Sequence, residues 1–232
     1  MKMNIRNELM KLQDAEYKDF HCRLIPTVDP SRVIGVRIPE LRAFAKRISF
    51  TEEAKNFLKE DSHKYYDEIN LHGALIDYGQ YSMEETLSLI EAFLPMIDNW
   101  ATCDMFVPHI FKTYPSEVLP LIKRWLCSDH IYTIRFGINC LIRDFMQERF
   151  DPIQFEWINA IDNDDYYVKM GIAWYYSVAL VKQWDQTLPL IKNGLKDSWI
   201  QNKTIQKAKE SDHLTKQRKE YLSRFKSKES KK

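Results

Sequence analysis

A tryptophan and an aspartate stand four residues apart in the stretch "IDNWATCDMF", which runs from Ile97 to Phe106. In a helix, residues with this spacing share one face, so Trp100 and Asp104 would point in the same direction. An indole face attracts a cation by roughly 0.5–2 kcal/mol, and a carboxylate stabilises positive charge that develops in a reaction. The pair therefore predicts a surface that receives a positively charged group.

This stretch belongs to an internal repeat. Five segments each open with an aspartate, a favoured N-cap residue, and continue with an apolar helical pattern. The opening residues, separated by 31, 31, 36 and 32 positions, are Asp67, Asp98, Asp129, Asp165 and Asp197. A second amphipathic run follows each of the first four segments, so each unit is predicted to be two antiparallel helices. Stacked units of this length predict an all-α fold, an α-solenoid of HEAT-like helix pairs. The alternative is an irregular helical bundle in which the spacing is chance.

The repeat places several polar residues at one register. Equivalent positions of successive aspartate-led helices line one concave surface in a solenoid. Six residues after the five aspartates stand Gly73, Asp104, Arg135, Gly171 and Lys203. Trp174 lies three residues after Gly171, on the same helical face. The repeat thus predicts that Trp100, Asp104, Arg135 and Trp174 meet in one groove, although each alone has an ordinary structural alternative, such as a packed tryptophan.

Composition narrows the class of protein. The 232 residues are 44% hydrophobic and 29% charged, with only six glycines, which favours a globular helical chain. No apolar run of membrane-spanning length, signal-peptide core, CxxC pair or HExxH motif occurs. These features predict a cytoplasmic protein with reduced cysteines, without a metal site or a membrane anchor.

The charge is unevenly distributed. Residues 216–232 contain eight lysines and arginines and two glutamates, a net +6, so the other 215 residues carry −5 out of a total of +1. We expect residues 1–221 to form a single domain and residues 222–232 to be a basic, disordered tail.

The predicted groove suits a ligand that carries charges of both signs. Arginine and lysine contact phosphates, whereas the indoles and the carboxylate suit positive charge. DNA with a purine alkylated on a ring nitrogen has both features, because the alkylated base is cationic. Breaking its glycosidic bond gives the sugar oxocarbenium character, which a carboxylate would stabilise while orienting the attacking water.

Short motifs along nearly the whole chain carry a family resemblance. They are "GVRIPELRAFAKRI", "DNWATCDMFVP", "YTIRFGI", "YYVKMGIAWY" and "NKTIQKA", in this order. The chain resembles the bacterial DNA alkylation repair glycosylases of the AlkD-like, HEAT-repeat family. The resemblance implies a superhelix that cradles duplex DNA. It also implies excision of cationic N3- and N7-alkylpurines without a metal or cofactor, and without flipping the base into a pocket, unlike most enzymes that act on bases.

The resemblance also assigns roles to residues. Trp100 and Trp174 match the aromatic pair that holds the deoxyribose of the lesion, and Asp104 matches the catalytic carboxylate. Arg135 matches an arginine that contacts the DNA backbone near the lesion. The expected DNA-binding residues elsewhere are Arg37, Arg42, Lys46, Lys203 and Lys207.

The chain departs from the family pattern at two positions close to these residues. Ile38 stands where active relatives have a polar residue, and Ser177 stands where well-studied members have an arginine. Two alternatives to a glycosylase therefore stay open: a weak or inactive paralogue that binds distorted or branched DNA, and a scaffold that binds a partner helix in its groove. If the protein is a glycosylase, we expect it to act as a monomer on alkylated double-stranded DNA and to associate with the nucleoid when it acts.

Overall fold

The computed structural model describes residues 3–227, which form fourteen α-helices and no β-strand. The all-α prediction is confirmed. The helices are α1 (Ile5–Lys11), α2 (Ala15–Leu24), α3 (Ile38–Ile48), α4 (Glu52–Phe57), α5 (Tyr66–Tyr78), α6 (Met83–Phe93), α7 (Trp100–Met105), α8 (Pro115–Leu126), α9 (Ile131–Asp144), α10 (Ile153–Asn159), α11 (Tyr166–Lys182), α12 (Trp184–Asn193), α13 (Ser198–Glu210) and α14 (Lys216–Leu222). Short 3₁₀ helices cover Pro30–Arg32, Leu94–Met96, His109–Lys112 and Ser223–Phe225.

The chain divides into two compact units, Met1–Tyr114 and Pro115–Lys232. In the first unit, α5 packs against α1, α3, α6 and α7. In the second unit, α11 packs against α9, α12 and α13, and α8 packs against α9 and α10. Within each unit, helices from the aspartate-led segments alternate with the second amphipathic runs, as the repeat predicts. The solenoid arrangement of the whole chain stays a prediction.

Hydrogen bonds within each unit link residues about one repeat apart. In the first unit, the Thr102 hydroxyl donates to Asn70 Oδ1 at 2.7 Å, across 32 residues. In the second unit, the Thr204 hydroxyl lies 3.5 Å from the carbonyl oxygen of Ala173, across 31 residues. Both side-chain oxygens are buried, so the contacts fix the register between neighbouring helices.

The N-cap predictions are confirmed at two positions only. Asp165 caps α11 by accepting from Tyr167 N at 2.7 Å, and Asp197 caps α13 by accepting from Trp199 N, also at 2.7 Å. The predictions for Asp67, Asp98 and Asp129 are wrong, because those helices begin elsewhere. The cap residues of α5, α7 and α9 are Tyr65, Asn99 and His130.

Two of these aspartates have other partners. Asp98 pairs with Arg32 at 2.7 Å, whereas the neighbouring Asn99 accepts from Thr102 N at 2.9 Å and so caps α7. Asp67 lies inside α5, and its buried carboxylate accepts backbone N–H groups from Ile34 at 2.6 Å and Val36 at 2.7 Å. Burial raises the pKa of the Asp67 carboxyl, and these N–H groups oppose that rise.

The loop held by Asp67 positions α3. Gly35 in this loop has φ +94°, a left-handed conformation that favours glycine. A Cβ on Gly35 would also come within 2.6 Å of Lys18 Cβ. The position therefore requires glycine both for its backbone angle and for the close approach of α2. The helix α3, which carries the predicted DNA-binding residues Arg42 and Lys46, follows directly.

The C-terminal end of the described chain packs on the second unit. Leu222 is fully buried in a cluster with Ile205 and Ala208, and Phe225 packs against that cluster. Asn202 and Ser227 exchange two hydrogen bonds, of 2.9 and 3.1 Å. Residues 222–227 thus form part of the unit rather than of the tail expected from residue 222. The rest of that tail, residues 228–232, lies outside the described residues.

Candidate nucleic-acid interface

The first part of the candidate site lies on α7, in the first unit. Trp100 is partly buried against the cluster of Ile25, Val28 and Tyr66, and its Nε1–H donates to the carbonyl oxygen of Leu24 at 3.0 Å. This bond to the end of α2 fixes the orientation of the indole ring. Asp104, partly exposed, stands one turn further along α7. Trp100 and Asp104 therefore lie one turn apart on the same helix, and their role at a common site stays a prediction.

Arg135 lies on α9, in the second unit, and is only 7% exposed. Its Nη1–H donates to the carbonyl oxygen of Tyr167 on α11 at 2.8 Å. A Cβ added at Gly171 would come within 3.8 Å of Arg135 Nη1 and 3.2 Å of Ile138 Cδ1. The lack of a side chain at Gly171 thus leaves room for Ile138, whereas the guanidinium of Arg135 would stay at an ordinary contact distance.

Trp174 lies one turn after Gly171 and borders a cavity of about 330 Å³. Lys207 from α13 and Ser177 from α11 line the same cavity. The Ser177 hydroxyl donates to the carbonyl oxygen of Trp174 at 2.7 Å, as a helical serine commonly does. The structure therefore brings together one predicted aromatic residue and one predicted cation of the second unit.

Lys203, the predicted cation at the repeat register of α13, contacts an aromatic ring. Its Nζ lies 5.6 Å from the centroid of Trp199 and 2.9 Å from Gln206 Oε1. A second ammonium, that of Lys169, lies 5.4 Å from the same ring and pairs with Asp197 at 2.6 Å. The indole of Trp199 thus holds two lysines near the start of α13.

The predicted cations of the first unit differ in how they are held. Arg42 and Lys46 are exposed on α3, and Lys46 Nζ lies 5.1 Å from the centroid of the Tyr78 ring. Arg37, in contrast, pairs through Nε with Asp14 Oδ2 at 2.7 Å and lies over the ring of Tyr17. Two of the three cations predicted to contact DNA, Arg42 and Lys46, are therefore exposed on one helix, whereas Arg37 is bonded to the start of α2.

The sequence prediction missed a carboxylate–imidazole pair in the first unit. Asp77 Oδ2 lies 2.6 Å from His109 Nδ1, and Asp77 Oδ1 accepts from His109 N at 2.8 Å. The two residues are 32 positions apart, about one repeat. The repeat length was the signal that could have paired them.

The predicted site residues are divided between the two units. Trp100, Asp104 and the α3 cations belong to the first, whereas Arg135, Trp174, Lys203 and Lys207 belong to the second. Their convergence in one groove stays a prediction. Among residues 3–227 we find no cluster of three or more His, Cys, Asp or Glu side chains that could hold a metal ion. Nor is any helix in that range long and apolar enough to cross a membrane.

Fold and site together define a class: a protein of paired helices, with contacts one repeat apart, that presents a tryptophan–aspartate pair and several cations. The chain matches the family model described as "DNA alkylation repair enzyme" over residues 5–208, and it belongs to that family. The resemblance drawn from the sequence is thereby confirmed. Membership places the chain among enzymes of DNA repair, with DNA as the substrate. A search of the curated proteins found no match.

Proposed function

We propose that this protein is a DNA glycosylase that hydrolyses the N-glycosidic bond of cationic N3- and N7-alkylated purines in duplex DNA. The observation that carries the proposal is the arrangement on α7, where a fixed indole, Trp100, stands one turn from the carboxylate of Asp104. Family membership in DNA alkylation repair supports the choice of substrate.

Asp104 acts on the charge that moves during bond cleavage. The glycosidic electron pair leaves with the base, which becomes neutral, and the positive charge passes to the deoxyribose. The Asp104 carboxylate stabilises this oxocarbenium character and orients a water molecule towards C1′. The attacking water forms the new C–O bond at C1′ and releases one proton to the solvent. Each tenfold in rate requires about 1.4 kcal/mol of such stabilisation.

Trp100 and Trp174 hold the deoxyribose of the lesion. Because the Trp100 N–H donates to the carbonyl oxygen of Leu24 and the side chain packs against the cluster around Ile25, the ring is oriented before DNA binds. Pre-organisation of this kind lowers the entropy cost of reaching the reactive geometry. The base departs without entering a pocket, and its own positive charge activates it, so the proposed reaction uses no metal or cofactor.

The cations bind the DNA backbone. Arg135 is oriented by its bond to Tyr167, and its planar guanidinium suits phosphate oxygens. Arg42, Lys46, Lys203 and Lys207 extend this contact along the backbone. We expect Arg37 to contribute less than the exposed cations of α3, because its Nε–H already donates to Asp14. One chain suffices for this reaction, and we propose that the protein acts as a monomer.

Base release is the experiment that tests this function. The protein is incubated with a duplex that contains a single 7-methylguanine, and the free base is separated by chromatography. We expect release well above the spontaneous rate. Binding without release, in a gel shift at two salt concentrations, would instead support an inactive DNA-binding paralogue. Absence of binding at either salt concentration would support a protein scaffold.

A further inference from the structure

The helix that carries Trp100 and Asp104 is too short to hold its own position. The helix α7 has six residues, whereas isolated helices shorter than about 12–15 residues are marginal in water. Its rotation about its own axis must therefore be set by contacts with neighbouring helices. One such contact is the bond from the Trp100 indole to the carbonyl oxygen of Leu24, at the end of α2. Another is made by the buried hydroxyl of Thr102, which bonds to α5.

Thr102 stands on the side of α7 opposite to the two site residues. At about 100° per residue, its side chain lies roughly 200° around the helix from both Trp100 and Asp104. Thr102 is 1% exposed, whereas Trp100 and Asp104 are partly exposed. A rotation of α7 that moved Thr102 away from α5 would therefore turn the Asp104 carboxylate by the same angle.

The hydrogen bonds around the Thr102 hydroxyl have defined directions. Asn99, which is fully buried, accepts from Thr102 N through Oδ1 at 2.9 Å and donates through Nδ2 to Thr102 Oγ1 at 3.0 Å. The hydroxyl donates its one proton to Oδ1 of Asn70 on α5, at 2.7 Å. Asn70 is itself only 6% exposed. These three side chains thus form a buried polar network that joins the start of α7 to α5.

We propose that Thr102 and Asn70 are positioning residues for base excision: the bond between them sets the rotation of α7 and so orients the Asp104 carboxylate towards the deoxyribose. This inference rests on the proposed function, because it concerns the step in which Asp104 acts. Trp100 has its own bond to Leu24, and the cations proposed to bind the backbone lie on other helices. Loss of the Thr102–Asn70 bond should therefore slow the chemical step and leave duplex affinity nearly unchanged.

The test variants change this bond from both ends. Thr102→Val keeps the shape of the side chain and removes the hydroxyl, Thr102→Ser keeps the hydroxyl, and Asn70→Ala removes the acceptor. The matched control is Thr187→Val in the second unit. Thr187 is also fully buried, but its hydroxyl donates to the carbonyl oxygen of Gln183, one turn earlier in the chain, at 2.8 Å. Circular dichroism sets an assay temperature well below the unfolding midpoint of every variant.

Single-turnover release of 7-methylguanine and the dissociation constant of the same duplex are measured for each variant. We expect Thr102→Val and Asn70→Ala to excise about tenfold more slowly than the wild type, less than the roughly 10²-fold that a misplacement of about 1 Å can cost. Thr102→Ser and Thr187→Val should retain the wild-type rate. The double variant Thr102→Val/Asn70→Ala should also be about tenfold slower, because both substitutions remove the same bond.

Four results would overturn the proposal. They are an unchanged rate in Thr102→Val, a loss of about a hundredfold in the double variant, an equal loss in Thr187→Val, or a fall in duplex affinity as large as the fall in rate. If the wild type itself releases no base, the proposed glycosylase is wrong and this role fails with it. Normal excision by the wild type and by both single variants would remove only the positioning role.

Discussion

Mild acid should destabilise the first unit through His72. This residue on α5 is 1% exposed, and its ring stacks on Phe93 with 5.0 Å between centroids. Its Nδ1 lies 2.8 Å from His63 Nε2. Within residues 3–227, no hydrogen-bond partner reaches its Nε2. A proton added to this ring would therefore place a charge in an apolar site beside a second histidine.

The size and sign of the effect follow from the pKa. Burial, and then the nearby His63, lower the pKa of His72 to about 3, from an ordinary value of 6.5. The folded state thus binds fewer protons than the unfolded state at acid pH. The contribution of His72 to stability is complete above pH 6.5 and is lost as the pH falls from 6.5 towards 3. Linkage between pH 7.5 and pH 5 gives a loss of about 2 kcal/mol.

Urea denaturation followed by circular dichroism at these two pH values measures this loss. The test variant is His72→Asn, whose amide occupies the place of Nδ1 but does not titrate. We expect it to be less stable than the wild type at pH 7.5, because it leaves a gap beside Phe93. Its stability should nevertheless fall by about 2 kcal/mol less than that of the wild type on acidification.

Two other buried histidines also contribute to the acid sensitivity, and an exposed histidine provides the control variant. Burial also lowers the pKa of His63 and of His21, so His72→Asn should retain part of the acid sensitivity. His213→Gln, at an exposed position, should leave the whole effect in place. If His72→Asn and the wild type lose the same free energy of unfolding between pH 7.5 and pH 5, the reasoning about His72 is refuted.

Two further predictions concern DNA. Trp174→Ala removes a ring proposed to hold the sugar both before and during the reaction. Duplex affinity and excision rate should therefore each fall by about tenfold, which corresponds to roughly 1.4 kcal/mol of lost contact. If neither quantity changes, Trp174 is not part of the site. Truncation after Ser227 removes three lysines and one glutamate while keeping buried Leu222. It should reduce the slope of log affinity against log salt, to which each neutralised phosphate contributes about 0.9, and leave lesion preference unchanged; an unchanged slope would show that the tail does not touch DNA.

The sequence predicted the elements of the fold better than their ends. The aspartate-led repeat located α5, α7, α9, α11 and α13, because apolar periodicity and repeat length depend on many residues. It failed at Asp98, because the adjacent Asn99 is also a good N-cap and Asp98 finds Arg32 instead. Neighbouring residues of similar capping strength cannot be ranked without knowing the tertiary partners.

The candidate site was predictable only in part. Spacing along one helix was enough to place Trp100 and Asp104 together on α7. The Asp77–His109 pair needed a contact between helices one repeat apart, which composition and local periodicity do not reveal. The buried carboxylate of Asp67 was misread for the same reason, since the three N–H groups it accepts lie in a loop more than thirty residues earlier.

The central claim is that the Asp104 carboxylate stabilises the transition state of base excision. Single-turnover release of 7-methylguanine from duplex DNA by Asp104→Asn tests it most directly, with Asp98→Asn, six residues earlier in the same segment, as a matched control. Because the amide keeps the size but not the charge, the rate should fall about 10²–10³-fold while duplex affinity stays nearly unchanged. Asp98→Asn should retain the wild-type rate. An Asp104→Asn variant that excises at the wild-type rate would contradict the account.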